Sequence, residues 1–117
     1  MDLKSLLIII KSDPRIDRRP AEAIRLATGV GSWQRVKTAV YLCGPAVLIL
    51  GNELEALIDT DCFHQYFPAL ASRPDAIFLQ QDSPYLNQIH ALDKPVPIVP
   101  RHAFPDFLAS YDFVLTF

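Results

Sequence analysis

The stretch Leu6-Leu7-Ile8-Ile9-Ile10 decides the fold. It is a continuous apolar run rich in β-branched side chains rather than an alternating one, and such runs suit strands covered on both faces. It ends a first strand expected over Leu3 to Ile10. Four more runs of similar length and character follow: Lys37 to Leu42, Ala76 to Gln80, Val96 to Val99 and Phe113 to Phe117.

Helical signals fill the intervals. Asp17 is placed to cap a helix whose first turn tolerates Pro20, with Ile24, Ala27 and Val30 near helical spacing and Gly29 and Gly31 as the stop. Gly44-Pro45 opens a short turn carrying Val47, Leu48 and Leu50, continued from Asn52 to Ile58 by Leu54 and Leu57. A helix is expected from Asp59-Thr60-Asp61, with Phe63 and Phe67 on one face and a bend or restart at Pro68. Ser83-Pro84 is the clearest cap, ahead of a stripe of Tyr85, Leu86, Ile89 and Leu92. The last connection, His102 to Ser110, is short and holds Phe104 and Phe107.

Strands alternating with helices imply βαβ units, and right-handed crossovers then place helices on both faces of one sheet. The expected fold is α/β: a three-layer α/β/α sandwich with a five-stranded, mainly parallel sheet. The length of 117 residues suits one domain over 1–117, and a 50% hydrophobic composition supplies its core. Lys+Arg 11 against Asp+Glu 13 gives a net charge of -2, the wrong balance for tracking phosphates, so no nucleic-acid partner is expected.

The start, Met1-Asp2-Leu3-Lys4, lacks the pattern of a secretory signal. The most apolar stretch, Ala39 to Gly51, is too short for a bilayer and is broken at Gly44-Pro45. No membrane partner is expected, and the cytoplasm is the default compartment. Two cysteines, Cys43 and Cys62, form no CxxC pair, and His64, His90 and His102 fall in separate connections, so neither a disulfide framework, a metal site nor a cofactor is expected.

In an open parallel sheet the binding crevice lies outside the carboxyl ends of the strands. That rule selects the loops Lys11 to Arg19, Cys43 to Pro45, Gln81 to Ser83 and Pro100 to His102. Cys43, at a strand end before Gly44-Pro45, is the candidate nucleophile or sulfur carrier if helix amides and Arg15 or Arg18 ionise it; the competing reading is a small buried hydrophobe. Cys62 beside Phe63 and Phe67 invites the same two readings. Arg15, Arg18 and Arg19, with Lys11, form a basic cluster that can hold a small anion, partly neutralised by Asp13 and Asp17. Ser83 at the expected helix start and His102 beside Arg101 complete the candidate anion-binding set of Arg15, Arg18, Ser83 and His102.

Four common sites are set aside. Gly29-Val30-Gly31 is followed by Gln34 where a third glycine belongs and precedes a strand, so the dinucleotide fingerprint fails. There is no GxxxxGK[ST] loop and no GxSxG elbow. A phospho-acceptor receiver needs an acidic pair after the first strand and a lysine after the fifth, whereas the sequence here ends at Phe117, within that strand.

The opening strand with its alanine-rich helix (Ala21, Ala23, Ala27), the segment Val40-Tyr41-Leu42-Cys43-Gly44-Pro45-Ala46-Val47-Leu48-Ile49-Leu50, and the closing Tyr111-Asp112-Phe113-Val114-Leu115-Thr116-Phe117 together resemble the DsrE/DsrF-like family. The resemblance implies a small cytoplasmic α/β protein that assembles with itself or with related subunits. In active members it implies a persulfide-carrying cysteine in the loop after the third strand. Here that loop reads Gln80-Gln81-Asp82-Ser83. In this respect the chain is similar to companion subunits without the reactive thiol.

Two functions are therefore expected in order. The first is an oligomeric, non-catalytic binding or scaffold subunit related to intracellular sulfur relay, accepting a small anion or a sulfur-donor protein, with Trp33, Tyr66 and Phe67 as apolar material left for association. The second is a small sulfurtransferase using Cys43 as a persulfide-forming nucleophile, with the helix from Ser83 stabilising charge.

Overall fold

A computed structural model describes residues 3–33, 35–51, 53–89 and 96–117; Gln34, Asn52, His90 and Leu92 lie outside them. Five strands form one sheet: β1 (Lys4–Ile10), β2 (Val36–Leu42), β3 (Ile77–Gln80), β4 (Ile98–Val99) and β5 (Phe113–Thr116). Their order is β4-β3-β2-β1-β5 and every pairing is parallel. The register sets Leu7 against Ala39 on one side and against Val114 on the other. Each strand falls within or beside an apolar run named above.

The β1, β2, β3 and β4 crossovers all step the sheet one way, so a right-handed chain lays their helices on one face; the return from β4 to β5 crosses the other. Three α-helices follow that rule among the described residues: α1 (Arg19–Gly31), α2 (Thr60–Ala71) and α3 (Phe104–Ala109). On the α1 and α2 face, Leu6, Ile8, Ile10, Val40 and Leu42 pack with Ile24, Ala27, Phe63 and Leu70. On the α3 face, Leu7, Ala39, Tyr41 and Val99 pack with Phe104, Phe107, Leu108 and Tyr111. Helices on both faces of one parallel sheet make the three-layer α/β/α sandwich.

Local details modify the expectations. The Arg19 N–H donates to the Asp17 carboxylate at 2.9 Å, with Arg18 as the cap residue. Helix α1 runs through Gly29 and ends at Gly31, while its buried face of Ala21, Ala23, Ile24 and Ala27 is small enough for close approach to the sheet. Helix α2 passes through Pro68 as one segment, without a restart. Tyr66 and Phe67 are half-buried against the core, so of the three aromatic residues expected to remain uncovered only Trp33 is, at 69% exposure.

The helix expected from Ser83 is not formed among the described residues. The chain makes a 3-10 turn at Leu86–Gln88, and Ile89 pairs with Gly51 in an antiparallel bridge. A tertiary partner for this loop has overridden its local cap signal. No helix among the described residues is long and apolar enough to cross a membrane.

Candidate functional site

Because all five strands run in parallel, their carboxyl ends share one rim. At β2, Tyr41 and Cys43 lie two residues apart and therefore on the same, α3-facing side, where both pack. The Cys43 N–H donates to the Ile10 carbonyl at 2.9 Å, anchoring the strand end to β1. Gly44 then takes a φ of 53°, a left-handed turn that favours glycine.

Gly44 is clamped from β3 on both of its backbone groups. Its N–H donates to Gln80 Oε1 at 2.8 Å, and its carbonyl accepts from the Ser83 hydroxyl at 2.8 Å. The same hydroxyl accepts the Tyr85 N–H at 3.3 Å. The Arg101 N–H, just past β4, donates to Gln81 Oε1 at 3.0 Å. Three strand-end loops are thus stitched together by side-chain amides and one buried serine.

Beside this clamp opens a cavity of about 330 Å³ lined by Tyr41, Cys43, Gln80, Gln81, Asp82, Val99, Arg101 and Phe104. Its apolar wall continues into an aromatic cluster, with Tyr41 and Phe104 ring centres 4.9 Å apart and Phe78 and Phe107 at 4.8 Å. Burial pushes the Cys43 thiol up to about 11, opposed by the charge of Lys11. Burial, with Cys43 and Asp82 nearby, also raises the Tyr41 phenol to about 12. At neutral pH both groups are protonated hydrogen-bond donors.

The basic residues expected to activate Cys43 do not do so. Arg15 forks onto Asp13, with Nε at 3.0 Å and Nη2 at 2.8 Å, and lies 5.3 Å over the Tyr85 ring. The guanidinium holds the Asp13 carboxyl below its ordinary range, and the pair keeps Arg15 protonated. Arg15 lines a second cavity of about 330 Å³, with Leu48, Gly51, Glu53, Ala56, Leu57, Asn87 and Gln88, not the one at Cys43. Arg18 is exposed and its Nε sits 3.9 Å from Asp59. The positive charge that acts on the thiol is that of Lys11.

The remaining candidates divide similarly. Ser83 is brought to Cys43 through Gly44, as a tie between loops and not as a helix N-terminus. His102 is exposed on the 3-10 turn Arg101–Ala103, and Arg101 lines the Cys43 cavity in its place. Cys62 is half-buried against the main core, the packing role weighed for it. No group of three His, Cys, Asp or Glu side chains suited to a metal ion occurs among the described residues.

Sequence reasoning passed over Tyr41, Gln80, Val99 and Phe104 as lining residues, while Gln81, Asp82 and Arg101 fall in the loops it selected. Tyr41 was discoverable from the two-residue strand period once Cys43 had been chosen, and Gln80 from its place at a strand's carboxyl end. Phe104 carries no such signal, because a six-residue helix crossing the sheet brings it there.

No protein-family model matches the chain, and no curated protein matches it in sequence. Among solved structures it is similar to the crystal structure of the YchN protein from E. coli, with 18% sequence identity and a TM-score of 0.74. The match covers 98% of this chain and 100% of that one. The two share a fold.

Proposed function

We propose that this chain is a DsrE/DsrF-like subunit that binds and organises partners in intracellular sulfur relay without carrying sulfur itself. The observation that carries the reading is the loop after β3. Where active members of that family are expected to hold a thiol, Gln80 and Ser83 instead spend their side chains clamping Gly44. The fold shared with YchN is in keeping with the reading. The cavity at Arg101, Gln81 and Asp82 has the size and polarity for a small anion or a side chain of a donor protein.

The alternative, Cys43 as a persulfide-forming nucleophile, is favoured by the thiol's place on that cavity wall. It is opposed by chemistry. The attacking species is a thiolate, and burial raises this thiol to about 11 where activation requires a lowered value. Intact mass after exposure to a persulfide donor separates the two readings. The expected result is no added sulfur on Cys43; a gain of one sulfur that disappears in Cys43→Ala overturns the proposal.

A further inference from the structure

The two edges of the sheet are built differently. Strand β4 has only two residues, Ile98 and Val99, between Pro97 and Pro100, the short and proline-flanked form that discourages edge pairing. Strand β5 has no proline or charge between Phe113 and Thr116. Its side chains are open on both faces of the sheet: Phe113 is 58% exposed, Leu115 44% and Val114 39%. The register places Phe113 and Leu115 beside Leu6 and Ile8 on the α1 face, and Val114 beside Leu7 on the α3 face.

We infer that β5 pairs antiparallel with β5 of a second copy of this chain, joining two sheets into one across a two-fold axis at Leu115. The inference deepens the oligomeric reading above and rests on it.

Backbone direction supports the register. The Phe117 N–H donates to the Ile9 carbonyl at 2.7 Å and its own carbonyl accepts from Lys11 at 2.8 Å, so Phe117 faces β1. Alternation gives Phe113 and Leu115 the same direction, which turns the N–H and C=O of Val114 and Thr116 toward the open edge. A two-fold at Leu115 sets Val114 opposite the partner's Thr116, and Thr116 opposite the partner's Val114. All the outward groups of both strands are then paired. The same operation keeps each face of the sheet on its own side, so Leu115 meets its own copy and Phe113 meets the partner's Phe117 on the α1 face.

Charge is complementary under that operation. Asp112 is held against Ser5 by bonds of 2.8 Å and 3.1 Å, which fixes its carboxylate on the α3 face at the start of β5. Lys11 follows Ile9 by two residues at the end of β1 and so shares that face. The two-fold brings the Asp112 backbone level with that of the partner's Lys11, about two strand spacings or 10 Å away, close enough for attraction within a screening length of about 10 Å without a direct ion pair. The symmetry makes this attraction twice.

Light scattering on the full chain at micromolar concentration should give an even-numbered assembly. Hydrogen exchange should show the Val114 and Thr116 amides protected in the assembly and released on dilution. Leu115→Asp should give monomers with an unchanged far-UV spectrum, and Lys11→Glu should weaken association by about tenfold. An assembly in which the Val114 and Thr116 amides exchange freely, or one that Lys11→Glu leaves unaltered, overturns the edge pairing and leaves the oligomeric reading standing. A monomer throughout the concentration range overturns both. If Leu115→Asp fails to fold, exchange at those two amides still decides the matter.

Discussion

Replacing Ser83 by alanine removes one oxygen and asks how much the rim depends on it. That hydroxyl is buried at 6% exposure, donates to Gly44 at 2.8 Å and accepts from Tyr85 at 3.3 Å. The shorter bond dominates. Its loss strands a partly buried carbonyl, which costs about 1 to 2 kcal/mol, and the longer contact adds little. In a chain of this size 1 kcal/mol corresponds to about 4 °C, so the expected fall in Tm is about 4 to 8 °C. Urea and thermal unfolding should be followed by far-UV circular dichroism, because Trp33 is largely exposed and its fluorescence reports poorly on the core. Gln80→Leu cuts the other half of the clamp. Since both side chains grip the same residue, the double variant should lose less than the two single losses combined, by about 0.5 kcal/mol or more. A loss under about 0.5 kcal/mol for Ser83→Ala, or strict additivity with Gln80→Leu, refutes the idea that these side chains hold the strand-end loops together.

In a Cys62→Ser background, Cys43 at pH 8 should be about one part in a thousand thiolate, so its alkylation should run roughly a hundredfold slower than that of a thiol with the ordinary value of 9.0. The rate should keep climbing up to a midpoint near pH 11; a midpoint below about 9 contradicts the burial argument. The same raised value links to stability with a definite sign. Folding favours the neutral thiol, so this contribution is complete below about pH 9 and is lost as pH rises toward 11, with Tyr41 acting in the same direction up to about 12. Alkaline unfolding of Cys43→Ala should therefore begin at higher pH than that of the parent chain. Gly44→Ala should cost about 1 kcal/mol in urea unfolding through backbone strain alone, because φ is 53° and a Cβ there meets no heavy atom within 4 Å. A neutral result would mean that the turn relaxes to negative φ.

The architecture was readable because parallel strands are buried on both faces, and that demand writes continuous apolar runs such as Leu6 to Ile10. Handedness then put helices on both faces of the sheet, but which helix covers which face followed from the strand order, which the apolar runs do not encode. The rim was less readable. Ser83-Pro84 carries a strong local cap signal, yet the hydroxyl is committed to Gly44, 39 residues away, a contact that only the assembled sheet creates. Arg15 belongs to the same class of problem. Its loop position made it available to Cys43, but a carboxylate two residues away captured it in a fork. Long side chains with several reachable partners are decided by geometry that periodicity does not encode. The uncovered character of β5 was likewise invisible, since Phe113 to Phe117 reads in sequence like any other core strand.

The sheet's closing contact also has a kinetic side. Ser5 and Asp112 are 107 residues apart, so β5 reaches β1 only after the chain has travelled from the first strand to the far edge and back. Closing so long a loop carries a large entropic cost, and such non-local pairings slow folding. Until β5 arrives, β1 itself is a bare edge with Leu6, Leu7, Ile8 and Ile9 on offer. The late-arriving strand is thus a guard for its neighbour during refolding, and crowded solutions of the half-folded chain are where misassembly would begin.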